Sequence, residues 1–259
     1  MSEKVTLIES DDFSIERARQ FARATFKYFW RELYWERRRI IPGLDLSAIK
    51  LPFEDEGIRN DGNPEVEHMW VDDVMFDGYT LSGVLMSSPN WISSVAHGDF
   101  VRAPIDHMDD WLFAVGGVAY GGFTIQAIRA KMEAEELADH DGAWGLDFAA
   151  PDKVRLTHKE GEVSPSIDLP FKDHPMCLNC LEQIENQLSK NPQFMNEPDE
   201  RGWLLLHHEA MAGNMAIIQI LLKHGCDVNA KTRDGQTAAD LAAAIGWMEI
   251  CDLLHTRSA

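Results

Sequence analysis

Three things are scarce in this 259-residue chain: cysteine, basic residues and long apolar runs. The four cysteines, Cys177, Cys180, Cys226 and Cys251, all fall in the last third. They are too few and too local for the disulfide framework of a secreted scaffold, so reduced thiols are expected. Only 24 Lys and Arg stand against 43 Asp and Glu, a formal net charge of −19. A charge of that sign repels nucleic acid and anionic membrane and attracts basic partners. No apolar run approaches the roughly 20 residues of a membrane span. The opening MSEKVTLIESDD carries acids where a signal peptide needs a basic start and an apolar core. A soluble cytoplasmic protein is expected. The motifs G-x-x-x-x-G-K-[ST], G-x-G-x-x-G, G-x-S-x-G and H-E-x-x-H are also missing, so phosphate-loop, dinucleotide, acyl-transfer and metalloprotease chemistry have no foothold. The expectation is a non-enzyme without cofactor or metal.

What is present is enough apolar content, 45%, for a real core. A period of 33 residues runs through the C-terminal third: Gly202, Ala210, Gly213, Ile217 and Leu221 recur as Gly235, Ala243, Gly246, Ile250 and Leu254. One period upstream, Ile184, Leu188 and Asn196 precede Ile217, Leu221 and Asn229, which adds a partial first unit. Residues 151–175 hold four prolines and little periodicity, as in a linker. The division expected is a domain over 1–165 and a second over 166–259.

These repeats resemble the ankyrin repeat, from about Cys177 to Leu254. The unit at 202–229 carries Leu206 and His207 at the helix start, Gly213 at the inter-helix turn, Leu221 and Leu222 on the outer helix, then Gly225, Asp227, Val228 and Asn229. Leu204 and Leu205 stand where the pattern has Thr-Pro, and Ala238 and Ala239 where it has Pro-Leu. The resemblance implies an all-α stack of two full units and a half, and a role in binding another protein. A pair of short helices cannot bury its own apolar stripe, and about three units are the usual minimum. The stack is therefore expected to lean on the N-terminal part or on a second copy.

In the N-terminal part, residues 14–39 put Ala18, Ala22, Thr25, Phe29 and Leu33 on one stripe of a long amphipathic helix. From Glu67 the period shortens, and Phe76-Asp77-Gly78-Tyr79 marks a hairpin turn between two strand-like runs. Further strands are expected at Asp99–Ala103 and Asp110–Val115, and a helix from about Thr124 to Leu137. The fold class is α+β: long helix, antiparallel sheet, second helix. The ordered motifs ARATFKYFWREL, EHMWVDDV, HGDFVRAP, DDWLF and YGGFTIQAIR, between about Arg23 and Met132, resemble a bacterial domain of unknown function typified by YegJ-like proteins. That resemblance implies no established catalysis, and an occurrence beside or fused to toxin–immunity modules, as in type VI secretion immunity proteins.

Some residues invite chemistry. His174, Cys177 and Cys180 have zinc-like spacing, but no fourth ligand is apparent and the repeat register puts both cysteines at packed helical positions. His207 fits the structural histidine of the repeat. His68, His97, His107, Asp109 and Asp110 are spread over forty residues without a recognisable spacing, and polar groups at strand ends account for them more simply. Glycines 116, 117, 121 and 122 read as turns.

A recognition surface remains. Turn tips and inner helices of an ankyrin stack place Arg201, Trp203, His208, Met211, Asn214, Lys231, Arg233, Gln236 and Trp247 at or near its concave face. Trp and Arg dominate many interfaces, although Trp203 and Trp247 could equally cover the junction with the N-terminal part. A second surface is the acidic stretch with Glu133, Glu135, Glu136, Asp139 and Asp141, which suits a basic partner or is a solvated face. The functional expectation is an immunity protein that neutralises a cognate type VI secreted toxin, a basic nuclease being the leading case, by stoichiometric binding; a homodimer is allowed. The alternative is a general ankyrin adaptor.

Overall fold

The computed structural model describes residues 13–56, 66–151, 153–157 and 169–258. The acidic opening segment, and residues 152 and 158–168 of the expected linker with the boundary near residue 165, lie outside the described residues. The chain forms two compact units: residues 1–25 with 41–167, and residues 26–40 with 168–259. Helix α1, Phe13–Glu36, gives its first half to one unit and its second half to the other.

In the first unit, six strands form one antiparallel sheet: β1 Leu46–Glu54, β2 Val66–Phe76, β3 Thr80–Leu85, β4 Phe100–Pro104, β5 Asp110–Val115 and β6 Val118–Gly121, in the order β4-β3-β2-β1-β5-β6. The hairpin at Asp77-Gly78 joins β2 to β3 as the turn signal predicts, and Asp77 Oδ1 accepts the amides of Tyr79 and Thr80. β2 alternates: Glu67, Met69 and Val71 are buried while His68, Trp70 and Asp72 are half-buried. The alternation breaks at a bulge between Asp72 and Met75, with Asp73 at φ 48. Gly83 lies against that bulge, and a Cβ there would sit 2.2 Å from the Asp72 carbonyl oxygen, so no other residue fits.

β5 is buried on both faces. On one, the Trp111 indole N–H donates to the Ala22 carbonyl of α1 at 2.9 Å. On the other, Leu112 clusters with Ala119, Ile125 and Phe148, with Trp70 and Trp144 packed against them.

The helix expected from Thr124 to Leu137 is two helices, α2 Phe123–Arg129 and α3 Ala134–Trp144. No Gly or Pro marks the break. Arg129 is buried and its guanidinium donates to Asp141 at 2.8 and 2.6 Å, to Gln126 Oε1 and to the Ala149 carbonyl. A straight helix would carry Asp141 away from it, and a buried unpaired guanidinium costs more than one interrupted helical turn.

The second unit is the helical repeat region. α4 Pro175–Lys190 is the outer helix of the partial unit; α5 Leu205–Ala212 with α6 Met215–Lys223, and α7 Ala238–Ile245 with α8 Met248–Ser258, are the two full ones. α5 stacks on α7 and α4 on α6. His207 ties successive turns together as expected: Nδ1 accepts the Leu204 amide at 2.9 Å and Nε2 donates to the Ala230 carbonyl at 3.0 Å. Gly213, at φ 75, closes α5, and a Cβ there would fall 2.4 Å from the Trp247 ring. Residues 26–40 belong to this unit and pack against the repeats, Tyr34 on Glu209 and Trp35 on Asn214.

Candidate protein-interaction surfaces

α3 begins without a basic residue and carries acids through its first turns. Glu133, Glu135, Glu136 and Asp139 are all exposed, and none has an ion-pair partner among the described residues. Asp141 differs. Burial works to raise its carboxyl, but hydrogen bonds and charge from Arg129 and His140 outweigh it and hold it below the usual range. It is committed to holding α2 and α3 together, so the acidic face that a partner can reach is built from the other four.

At the repeat tips, Asp199 organises a small cluster. Its Oδ1 accepts the amides of Arg201 and Trp203 at 2.9 and 2.8 Å, and Oδ2 lies 3.2 Å from His208 Nε2. The Arg201 guanidinium stacks 4.3 Å from the Trp203 ring centre, and the Arg233 amide donates to the Arg201 carbonyl. Burial first, and the nearby Arg201 charge after it, push His208 down to about 4 despite Asp199, so its imidazole is neutral at physiological pH. Arg233 and Lys231 are exposed; Arg201, His208 and Gln236 are half-buried. This edge presents cations and hydrogen-bonding groups to solvent.

Four residues expected on that surface are not there. Trp203, Met211, Asn214 and Trp247 are at most 2% exposed. Trp247 donates its indole N–H to the Met211 carbonyl and packs edge-on against Tyr28 and Phe171, with the Lys27 and Arg31 cations 4.9 and 5.1 Å from its ring. Asn214 joins a buried network: its Oδ1 accepts the Trp35 indole N–H, its Nδ2 donates to Glu209 Oε2 at 2.6 Å, and Tyr34 donates its hydroxyl to Glu209 Oε1. Burial raises the Glu209 carboxyl, opposed by Arg38, and raises the Tyr34 hydroxyl well above its ordinary range. Residues 26–40 therefore cover Trp247 and Asn214 from within the same unit, while Trp203 packs against Arg201 and His208 of its own repeat tip. Repeat spacing alone gives no sign of that occupant.

His174 is likewise engaged: Nδ1 accepts the Met176 amide at the start of α4, and Nε2 lies 3.1 Å from Glu32. Cys177 is buried and hydrogen-bonds Asp173, with burial pushing its thiol up beyond reach of deprotonation. In the first unit, the fold brings together His68 and Asp109, which the sequence left scattered. His68 Nδ1 is 2.5 Å from Asp109 Oδ2; Arg19 Nε is 2.8 Å from Asp109 Oδ1, and Arg19 also faces His68 Nε2 at 3.3 Å. Both ring nitrogens face partners, which suits a polar brace between α1 and the sheet better than a proton shuttle. Asp110, beside it, is wholly buried and accepts the Phe123 and Thr124 amides and the Thr124 hydroxyl, holding the start of α2. His97 and His107 are exposed and distant in role from that brace.

Residues 12–148 match the family described as "Uncharacterized protein conserved in bacteria (DUF2314)", and residues 176–258 match "Ankyrin repeats (3 copies)". The chain belongs to the DUF2314 family. A relative from Neisseria meningitidis serogroup B, "Putative ankyrin repeat protein NMB1133/NMB1171", is 45% identical over 250 residues, 96% of both chains, so the union of this domain with ankyrin repeats is shared end to end. "Uncharacterized protein YegJ" of Escherichia coli K12 is 30% identical over 96 residues, 36% of this chain and 58% of that one. The human "NAD-capped RNA hydrolase NUDT12" is 41% identical over 76 residues, 29% of this chain but 16% of that enzyme. So small a share of the enzyme carries no activity across. Ankyrin repeats in a DUF2314 protein imply protein–protein interaction. Among the described residues, no helix is long and apolar enough to cross a membrane.

Proposed function

We propose that this protein acts by stoichiometric, non-catalytic binding of a basic partner protein, as an immunity protein that neutralises a cognate type VI secreted toxin of nuclease type. The observation that carries the reading is the α3 face, where Glu133, Glu135, Glu136 and Asp139 stand exposed and unpaired among the described residues. In a chain of net charge −19 such a face steers a basic protein into encounter, with on-rates raised by roughly 10- to 1,000-fold at low salt. The repeat tips, with Arg201, Arg233 and Gln236, supply a second contact. Neutralisation then follows from occlusion of the toxin's own cationic substrate-binding face.

The test is co-expression with a type VI secreted nuclease toxin from the same host. The wild type is expected to restore growth, and a variant with Glu133, Glu135, Glu136 and Asp139 all changed to Lys is expected to fold and fail to protect. Absence of protection by the wild type overturns the reading. Capture of housekeeping proteins in its place would support the adaptor function.

A further inference from the structure

β4 is the last strand on one side of the sheet, and its outer edge has no neighbour among the described residues. The far edge is different: β6 is covered by Asp147 and Arg155, through Ala119 N–H to the Asp147 carbonyl and Gly121 N–H to the Arg155 carbonyl. The hydrogen bonds of β4 with β3 fix which of its groups point outward. Leu85 donates to the Asp99 carbonyl at one end and Ile105 donates to the Tyr79 carbonyl at the other. Because antiparallel pairs alternate, Val101 and Ala103, opposite Gly83 and Leu81, spend their amides and carbonyls on β3. Phe100 and Arg102 therefore turn both N–H and C=O outward, and Pro104, with no N–H, ends the ladder. Their side chains are exposed as well: Phe100 is 58% exposed with the Arg102 guanidinium 5.3 Å from its ring centre, and Tyr79, opposite the strand's end, is 71% exposed.

We infer that this edge takes up an extended, basic segment of the partner protein as a seventh strand, paired to Phe100 and Arg102. The inference rests on the basic partner proposed above. Charge decides the occupant. Asp99 and Asp106 flank β4, Asp77 sits in the turn beside it, and Arg102 is the lone cation among them. A second copy would bring the same acids edge to edge, and Pro104 with a charged strand blunts self-pairing. A lysine- or arginine-rich strand meets attraction at both ends while the open backbone groups supply the pairing.

The experiment uses the full chain and a fluorescent peptide of about ten residues alternating lysine and valine, the upper end of usual strand lengths. Binding is read by anisotropy and by amide hydrogen exchange. The expected result is new protection at the Phe100 and Arg102 amides on adding the peptide. Arg102→Gln, which keeps the outward N–H, should bind at least as tightly as wild type, and Arg102→Pro, which removes it, at least tenfold more weakly. Equal affinity of Arg102→Pro, protection confined to other segments, no binding of the peptide, or protection of these amides in a dimer without peptide would each overturn the inference. If Arg102→Pro still protects cells as well as wild type, the edge inference fails while the immunity reading stands; if wild type does not protect, the immunity reading itself fails.

Discussion

Replacing Trp247 by alanine tests whether the repeats recognise a partner through their tryptophans or use them to stand. The indole is 1% exposed, touches Tyr28 and Phe171, and donates to the Met211 carbonyl at 3.2 Å. Truncating a core tryptophan costs about 3–5 kcal/mol, and orphaning the Met211 carbonyl adds about 1 kcal/mol. With a urea slope near 2 kcal/mol per molar, the midpoint of the repeat unit falls by about 2 M. Because the chain has two units, the assay follows amide exchange within residues 168–259 through a urea titration, so that a separate transition of the first unit is not averaged in. Trp247→Phe retains most of the ring packing and should lose about 1–2 kcal/mol. An unchanged midpoint for Trp247→Ala, with partner capture abolished, would place the indole on the recognition surface and refute this assignment.

Tyr34→Phe removes the hydroxyl from Glu209 and should destabilise the same unit by about 1.5–3 kcal/mol, read in the same titration. Residues 170–259 expressed without 26–40 are expected to show no cooperatively folded monomer by circular dichroism; a cooperative transition there would show that the stack is self-sufficient. Asp110 is raised to about 6 by burial, against the opposing hydrogen bonds from Thr124. The folded state then binds this proton more tightly than the unfolded chain. The stability that Asp110 contributes is full below about pH 4 and is lost as pH climbs through about 6, a fall on the order of 2–3 kcal/mol. Asp110→Asn should flatten that part of the stability–pH curve, at the cost of its bonds to Thr124; an unchanged slope would contradict the burial account.

The repeats were legible because ankyrin geometry repeats its glycines and apolar stripes at fixed intervals, and His207 sits where its ties require. The β2–β3 hairpin was legible from Asp77-Gly78, and β5 from an apolar run. Strands β1 and β6 carry no such signal: Leu46–Glu54 mixes half-buried Lys50 and Pro52 into its alternation, and β6 is four residues long between glycine pairs. The break between α2 and α3 is set by Arg129 meeting Asp141, a tertiary ion pair that local propensity cannot report. The same limit governs the site residues. Glu133, Glu135, Glu136 and Asp139 are exposed as a charge run suggests, whereas Trp203, Met211, Asn214 and Trp247 are buried. The sequence allows an open face and a covered junction equally for the two tryptophans, and the partners that decide it for Trp247 and Asn214, Tyr28 and Trp35, lie 179 residues or more away, where the repeat's spacing cannot report them. His68 and Asp109 show the converse, scattered in sequence and joined only by the fold.

The charge of the partner that this chain binds is the deciding property. Purification of the chain from its native host at low salt, with bound protein eluted along a salt gradient and identified, is the most direct measurement. The prediction is one basic protein in equimolar amount, released as salt rises and lost when Glu133, Glu135, Glu136 and Asp139 are changed to Lys. An acidic partner, or a basic one whose retention ignores both salt and these four residues, would contradict it.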